Sequence, residues 1–269
     1  MGVCDLLKSG VGQVLFTLIE IEPMRTRRLW DGMGIHLAVE SILTGAKTAR
    51  MFVDSEKPNA ALTWMGHRLY LVGEISECFS ELLQEFAKTH KRFVAYPSRE
   101  ALEGAEKLLT DYGVKRRGRF YYEGDPTVHS WVVNPPDGYA VERITEELLS
   151  RNLVHTDWVR EEMCSERASI EEFLVKSFGF AAIYRGEFAC WCMSEYNLGD
   201  RCEVGIETGP EHRRRGLANQ VASAMFRYAA GVGIRRVGWH CWMDNMGSTA
   251  TAERLGLKPV AEYTALVSG

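Results

Sequence analysis

The sequence has no C-x-x-C pair, no apolar run long enough to span a bilayer and no excess of positive charge. Each absence closes a class. The cysteines, 7 in all and scattered, offer neither a disulfide framework nor metal-ligand spacing, so they read as reduced, buried thiols of a cytoplasmic protein. Cys190 and Cys192 share one face of a strand while His240 and Cys241 take opposite faces, so no metal site is expected. The stretch from Val11 to Ile21 is short and broken by Gln13 and Glu20, which fits neither a signal peptide nor a membrane span. Met1-Gly2 is followed at position six by Leu, where a myristoylation signal needs Ser or Thr. A net charge of −4 gives no bulk attraction to nucleic acid or to an anionic membrane.

What is present is an ordinary globular composition, 46% hydrophobic and 25% charged over 269 residues, enough for one large domain or two of usual size. The turn-rich run Asn134-Pro135-Pro136-Asp137-Gly138 divides the chain into residues 1–134 and 139–269. In the first part a strand pair is expected over Leu62–Val72, a helix over Phe79–His90, a strand over Arg92–Tyr96, a helix over Arg99–Tyr112 and a strand over Lys115–Tyr122. The second part opens with a strand, Tyr139–Ile144. Helices follow within Glu146–Leu153, Trp158–Cys164 and Ser169–Ser177, the last with a capping box, Ser169 to Glu172. A meander of strands comes next: Phe178–Tyr184, Phe188–Tyr196 and Arg201–Thr208. Leu217, Val221, Ala224, Met225 and Tyr228 then repeat at helical spacing up to Gly231. A strand over Arg235–Trp242, a helix over Ser248–Leu255 and a strand over Val260–Val267 complete the order.

The most informative stretch is Glu203–Ala218, EVGIETGPEHRRRGLA. A strand and a proline turn lead into Arg213-Arg214-Arg215-Gly216-Leu217-Ala218 at a helix start. The first backbone N–H groups of a helix lack intrahelical partners and carry partial positive charge, which suits a phosphate. Gly216 and the small Ala218 allow close approach to the backbone, and arginines add charge-assisted donors. Taken alone, an arginine run is also a common solvated face.

The hexapeptide matches Arg/Gln-x-x-Gly-x-Gly/Ala, and the chain resembles the GNAT superfamily of acetyl-CoA-dependent N-acetyltransferases throughout residues 139–269. A second signature agrees. Asn245, eleven positions before Gly256 in NMGSTATAERLGL, resembles the family's Asn-to-Leu-Gly-Phe segment, with Leu257 in place of Phe. The runs WCMSEYNLGDRCEVGIE and WHCWMDN resemble the branch that includes zwittermicin-type antibiotic-resistance acetyltransferases. The resemblance implies an α/β GNAT fold, with a mixed twisted sheet and flanking helices. It also implies that Arg213, Arg214, Arg215, Gly216, Leu217 and Ala218 hold the coenzyme's diphosphate. Ile206, Glu207 and Thr208 would pair with its pantetheine arm, where the family's strand parts from its neighbour and frees N–H donors for the thioester carbonyl. Asn245 and Ser248 complete the expected cofactor set. The first part echoes a GNAT half without the arginine turn; a degenerate copy that shapes the acceptor cleft and an unrelated α/β cap both stay open.

An amine with a pKa near 10.4 must lose a proton before it attacks, and a carboxylate can take it. Glu203 is the first candidate base and Glu207 the second, both on the strand that meets the cofactor; the alternative for each is a solvated or ion-paired carboxylate. The family often places a tyrosine acid where this chain has Ala252; a thiol with pKa near 8.5 can leave unprotonated, and Tyr263 or Tyr196 could substitute, though each reads first as a packing residue. His212 reads as an exposed turn residue. Trp191, Trp239 and Trp242 read as core or cleft wall. The expected activity is acetyl transfer to a primary amine of a small molecule in a ternary complex. The competing classes are a non-catalytic coenzyme A sensor and a nucleotide-binding protein, the latter without a Walker lysine or a G-x-G-x-x-G turn. Pairing of the final strand between two copies, giving a homodimer, leaves no trace in the sequence.

Overall fold

The computed structural model describes residues 18–269. The Met1-Gly2 start and most of the stretch from Val11 onward lie outside the described residues. Two compact units form, one of residues 18–119 with 263–269 and the other of 120–262. The turn Asn134–Gly138 therefore lies inside the second unit, because the strand before it has already carried the chain there.

In chain order the elements are β1 (Ile19–Glu20), α1 (Leu37–Leu43), β2 (Met51–Val53), β3 (Ala60–Met65), β4 (Arg68–Gly73), α2 (Ser80–Thr89), β5 (Val94–Pro97) and α3 (Leu102–Leu108). Then come β6 (Lys115–Gly124), β7 (Tyr139–Arg143), α4 (Glu146–Ser150), α5 (Thr156–Met163), α6 (Ile170–Lys176), β8 (Gly179–Tyr184) and β9 (Glu187–Leu198). The chain ends with β10 (Arg201–Thr208), α7 (Leu217–Gly231), β11 (Arg236–Trp242), α8 (Met246–Arg254) and β12 (Lys258–Val267).

In the first unit β1 to β4 pair antiparallel in sequence order, β5 lies parallel to β4, and Leu266 and Val267 of β12 pair antiparallel with Ala95 and Val94. Its helices α2 and α3 bury Phe79, Leu83, Phe86, Ala101 and Ala105 on the face formed by Leu62, Leu69, Leu71 and Ala95. Residues 18–53, which carried no legible motif, supply β1, α1 and β2.

The second unit repeats that succession. Strands β7 to β10 form an antiparallel meander, α7 crosses over to β11 parallel to β10, and α8 leads to β12. Helices α7 and α8 cover one face through Leu217, Val221, Met225, Phe226 and Ala252, packed on Val204, Val237, Trp239 and the thiols Cys190, Cys192 and Cys202. Helices α4 to α6 cover the other through Leu148, Val159, Met163 and Phe173, against Phe188, Trp191 and Met193. The capping box forms: Ser169 Oγ accepts from the Glu172 N–H at 3.2 Å, and Glu172 reaches back to the Ala168 N–H at 2.7 Å. Both units are thus mixed α/β sheets flanked by helices. No helix among the described residues is long and apolar enough to cross a membrane.

Candidate active site

The site arises from a loss of pairing. Strand β10 runs parallel to β11 from Arg201↔Arg236 to Val204↔Trp239 and no further, while its antiparallel pairing with β9 continues to Thr208↔Cys190. A register shift in the β9 ladder between Glu203 and Val204 falls just before the pairing of β10 with β11 ends. Beyond it, the β10 edge from Gly205 to Thr208 faces a cleft instead of a strand.

That cleft has a volume of about 700 Å³. Ile206, Glu207 and Thr208 line one side, and Arg213, Arg214, Gly216, Leu217 and Ala218 close the end where α7 begins. Gly216 caps α7 at φ 78, and a Cβ there would meet nothing within 4 Å, so the approach to the helix N-terminus is open. Arg214 also adopts a left-handed backbone, φ 62. Arg213 fixes the loop by donating Nε–H to the Thr208 carbonyl at 3.1 Å. Arg215, expected in the cofactor set, does not line the cleft; its guanidinium turns to the Glu211 carbonyl at 3.4 Å.

The far wall is α8. Asn245 caps it, its side-chain oxygen accepting from the Ser248 N–H at 3.1 Å, which leaves its amide N–H groups and one oxygen lone pair for a ligand. Ser248 Oγ in turn accepts from the buried Trp239 indole at 3.0 Å. Gly247, Thr251 and Arg254 line the same face and were missed in the sequence, although their spacing of four and three residues is that of one helical stripe. Arg254 adds a cation opposite the arginine loop. Ala252, the position of the family's tyrosine, is fully buried in the core. Neither proposed substitute reaches the cleft: buried Tyr196 donates to the Glu166 carboxylate, and Tyr263 packs on His36 in the first unit.

The two candidate bases are held differently. Glu207 is exposed, lines the cleft and accepts from the Trp158 indole at 2.9 Å. Glu203 is buried at 6% exposure, with Oε1 3.4 Å from Nε2 of His240 on β11. Tyr121 stacks on His240 with ring centroids 4.6 Å apart and donates to Glu123 at 3.0 Å; burial and these carboxylates push its pKa up. Gly238, paired with Glu203, makes this crowding feasible, since a Cβ there would meet Tyr121 at 2.9 Å and Glu203 Cγ at 3.1 Å. Glu203 thus sits at the apex of the splay, about 13 Å along the strand from Glu207 at roughly 3.3 Å per residue.

His212 is not an exposed turn residue. It is buried at 7% exposure, with Nδ1 2.9 Å from the Tyr139 hydroxyl and Nε2 3.1 Å from Glu187 Oε1. A neutral ring protonated on Nε2 satisfies both contacts. Cys190, Cys192, Cys202 and Cys241 are buried as expected, whereas Cys164 is exposed and Cys78 half-buried; burial pushes Cys190 up to about 12 and Cys192 and Cys202 upward as well. Among the described residues no three His, Cys, Asp or Glu side chains gather to hold a metal ion.

This arrangement, a splayed strand pair with a cationic helix start at its mouth, agrees with comparisons to known proteins. The model of the family described as GNAT acetyltransferase matches residues 28–266. YdfB of Bacillus subtilis strain 168, described as an uncharacterised N-acetyltransferase, is 31% identical over 188 residues, 69% of this chain and 70% of its own. A GCN5-related N-acetyltransferase-like protein from Streptococcus suis 89/1591 shares the fold with TM-score 0.69 and 19% identity, covering 92% of this chain and 99% of its own. A tandem GNAT protein from the clavulanic acid biosynthesis pathway gives TM-score 0.56 at 14% identity, covering 93% of this chain and 97% of its own.

Proposed function

The chain belongs to the GNAT acetyltransferase family and is an acyltransferase, and on that premise we propose that it moves the acetyl group of acetyl-CoA to a primary amine of a small molecule, by direct attack in a ternary complex. The observation that carries this reading is the splay of β10 from β11 beside the open N-terminus of α7.

The residues present fit coenzyme A. The α7 N–H groups, Gly216 and the guanidiniums of Arg213 and Arg214 would hold its diphosphate, and the β10 edge at Ile206–Thr208 would pair with its pantetheine arm. Acetyl-CoA supplies the acetyl group as a thioester. N–H groups freed on β10 after Val204 would donate to a carbonyl oxygen that gains charge. Glu203 would take the amine's proton on a carboxylate oxygen, with His240 beside it to share that proton. Glu207 remains the second candidate base. With Ala252 in place of a tyrosine, the coenzyme would leave as thiolate, which a thiol pKa near 8.5 allows.

The finer resemblance to zwittermicin-type resistance enzymes, a cytoplasmic setting and a first unit that serves as a non-cofactor-binding copy belong to the same proposal. The missing tyrosine keeps one other reading in view, a coenzyme A sensor without turnover. A thiol-release assay with acetyl-CoA over aminopolyols, aminoglycosides, polyamines, amino acids and peptide N-termini decides between them. Amine-dependent release is expected; slow release that no amine accelerates would favour the sensor.

A further inference from the structure

On the β9 side of β10 lies a second cavity, about 320 Å³, whose lining does not include Glu203, the first candidate base. Trp158 and Pro210 form its accessible apolar walls, and Glu187, Glu207 and Glu211 supply three carboxylates. No lysine or arginine lines it. His212 holds Glu187 from behind, His155 Nε2 lies 3.9 Å from the same carboxylate, and Trp158 holds Glu207. Neither Glu207 nor Glu211 forms an ion pair among the described residues. The carboxylates ring the cavity without converging on a point, so they do not make a metal site. An accessible indole face, a proline ring and distributed negative charge together suit an organic cation of modest size.

The position of the cavity matters as much as its lining. Glu207 and His212 also line the coenzyme cleft, and His212 immediately precedes the arginine loop. Glu207 and Glu211 therefore place negative charge beside the site read as a diphosphate grip, and a cation between them would offset that repulsion.

We propose that this cavity binds a small alkyl- or arylalkylammonium ion, its head among Glu187, Glu207 and Glu211 and its body on Trp158 and Pro210, and that this binding strengthens that of coenzyme A next to it. The coupling rests on the coenzyme reading above; the cation site does not. Linkage makes the effect reciprocal, so coenzyme A tightens the amine by the same factor.

Isothermal titration of the full chain tests both parts, with phenethylammonium chloride as the probe and 2-phenylethanol as its uncharged isostere. Saturable binding of the ammonium, absent for the alcohol and weakened at least about tenfold by Trp158→Ala or Glu187→Gln, is the expected result. Should Trp158→Ala fail to fold, the exposed Glu211→Gln takes its place. No saturable binding, equal binding of the alcohol, or indifference to the substitutions overturns the site. In a second series coenzyme A is titrated with and without saturating phenethylammonium, and its Kd should tighten about fivefold or more. An unchanged Kd overturns the coupling. Failure of coenzyme A to bind at all overturns the coenzyme reading, while the ammonium isotherm still decides the cavity.

Discussion

Arg214 offers the sharpest test of the phosphate grip, because its backbone and its side chain pull in opposite directions. At φ 62 an L-residue costs about 1–2 kcal/mol relative to the right-handed region. Glycine would remove that cost, so the arginine needs a reason in its side chain, which lines the cleft. A charge-assisted bond to phosphate contributes about 1.5–3 kcal/mol, and the exposed loop places it near the lower figure. Arg214→Gly and Arg214→Ala separate the two effects. Relief of strain in the glycine variant, less about 0.4–1 kcal/mol for its freer unfolded chain, leaves a gain of at most ~1.6 kcal/mol. Thermal unfolding should therefore place the Tm of Arg214→Gly at or above wild type, with Arg214→Ala unchanged. Coenzyme A titration should show both variants weaker by about tenfold, a decade per 1.4 kcal/mol, and the loss should shrink as salt rises. Arg215→Ala should stay within about twofold, because its guanidinium serves the Glu211 carbonyl. Wild-type affinity in both Arg214 variants would refute a phosphate contact at this residue.

Other substitutions probe the rest of the site. Glu203→Gln should lower turnover at neutral pH while leaving coenzyme A affinity intact, and unchanged turnover would remove Glu203 as the base. Ser248→Ala orphans the buried Trp239 N–H and should cost about 1–3 kcal/mol in denaturant unfolding. Gly104→Ala drives a Cβ to 1.9 Å from the Ile75 carbonyl oxygen and should destabilise the protein by about 3 kcal/mol, read from the shift of its urea midpoint. In a thiol-reagent titration of native protein at pH 8, exposed Cys164 and half-buried Cys78 should react, and Cys190, Cys192 and Cys202 only after unfolding, because burial keeps them protonated well above that pH.

Much of this arrangement was legible from local signals. The capping pair Ser169 and Glu172, the apolar stripe from Leu217 and the glycine stops act within a few residues, so the second unit's elements fall close to their expected bounds. The cleft residues Ile206–Thr208, Arg213, Arg214 and Gly216–Ala218 were legible because a strand, a turn and a helix start are consecutive in the chain, whereas the outward turn of Arg215 was not. What escaped depends on distant partners. The burial of His212 is set by Tyr139 and Glu187, and the pairing of Glu203 with His240 follows from a register that no single strand encodes. Strands β1 and β2 are two and three residues long, too short for any periodicity to appear.

The repeated topology of the two units shows that strand order alone does not make a diphosphate site. In the first unit the corner after β4, beside α3, corresponds to the corner after β10, beside α8. Its cavity of about 420 Å³ is lined by Asp54, Glu74 and Glu77, with Lys107 as its only basic residue. That lysine is already 2.9 Å from Glu77. Gly104 of α3 also lies so close to the Ile75 carbonyl that even a methyl group would not fit between them. A diphosphate brought there meets carboxylates where the second unit presents Arg213, Arg214 and Arg254. The sign of the charge at one crossover, and the closeness of one helix to it, distinguish the corner proposed to hold coenzyme A from its counterpart in the first unit.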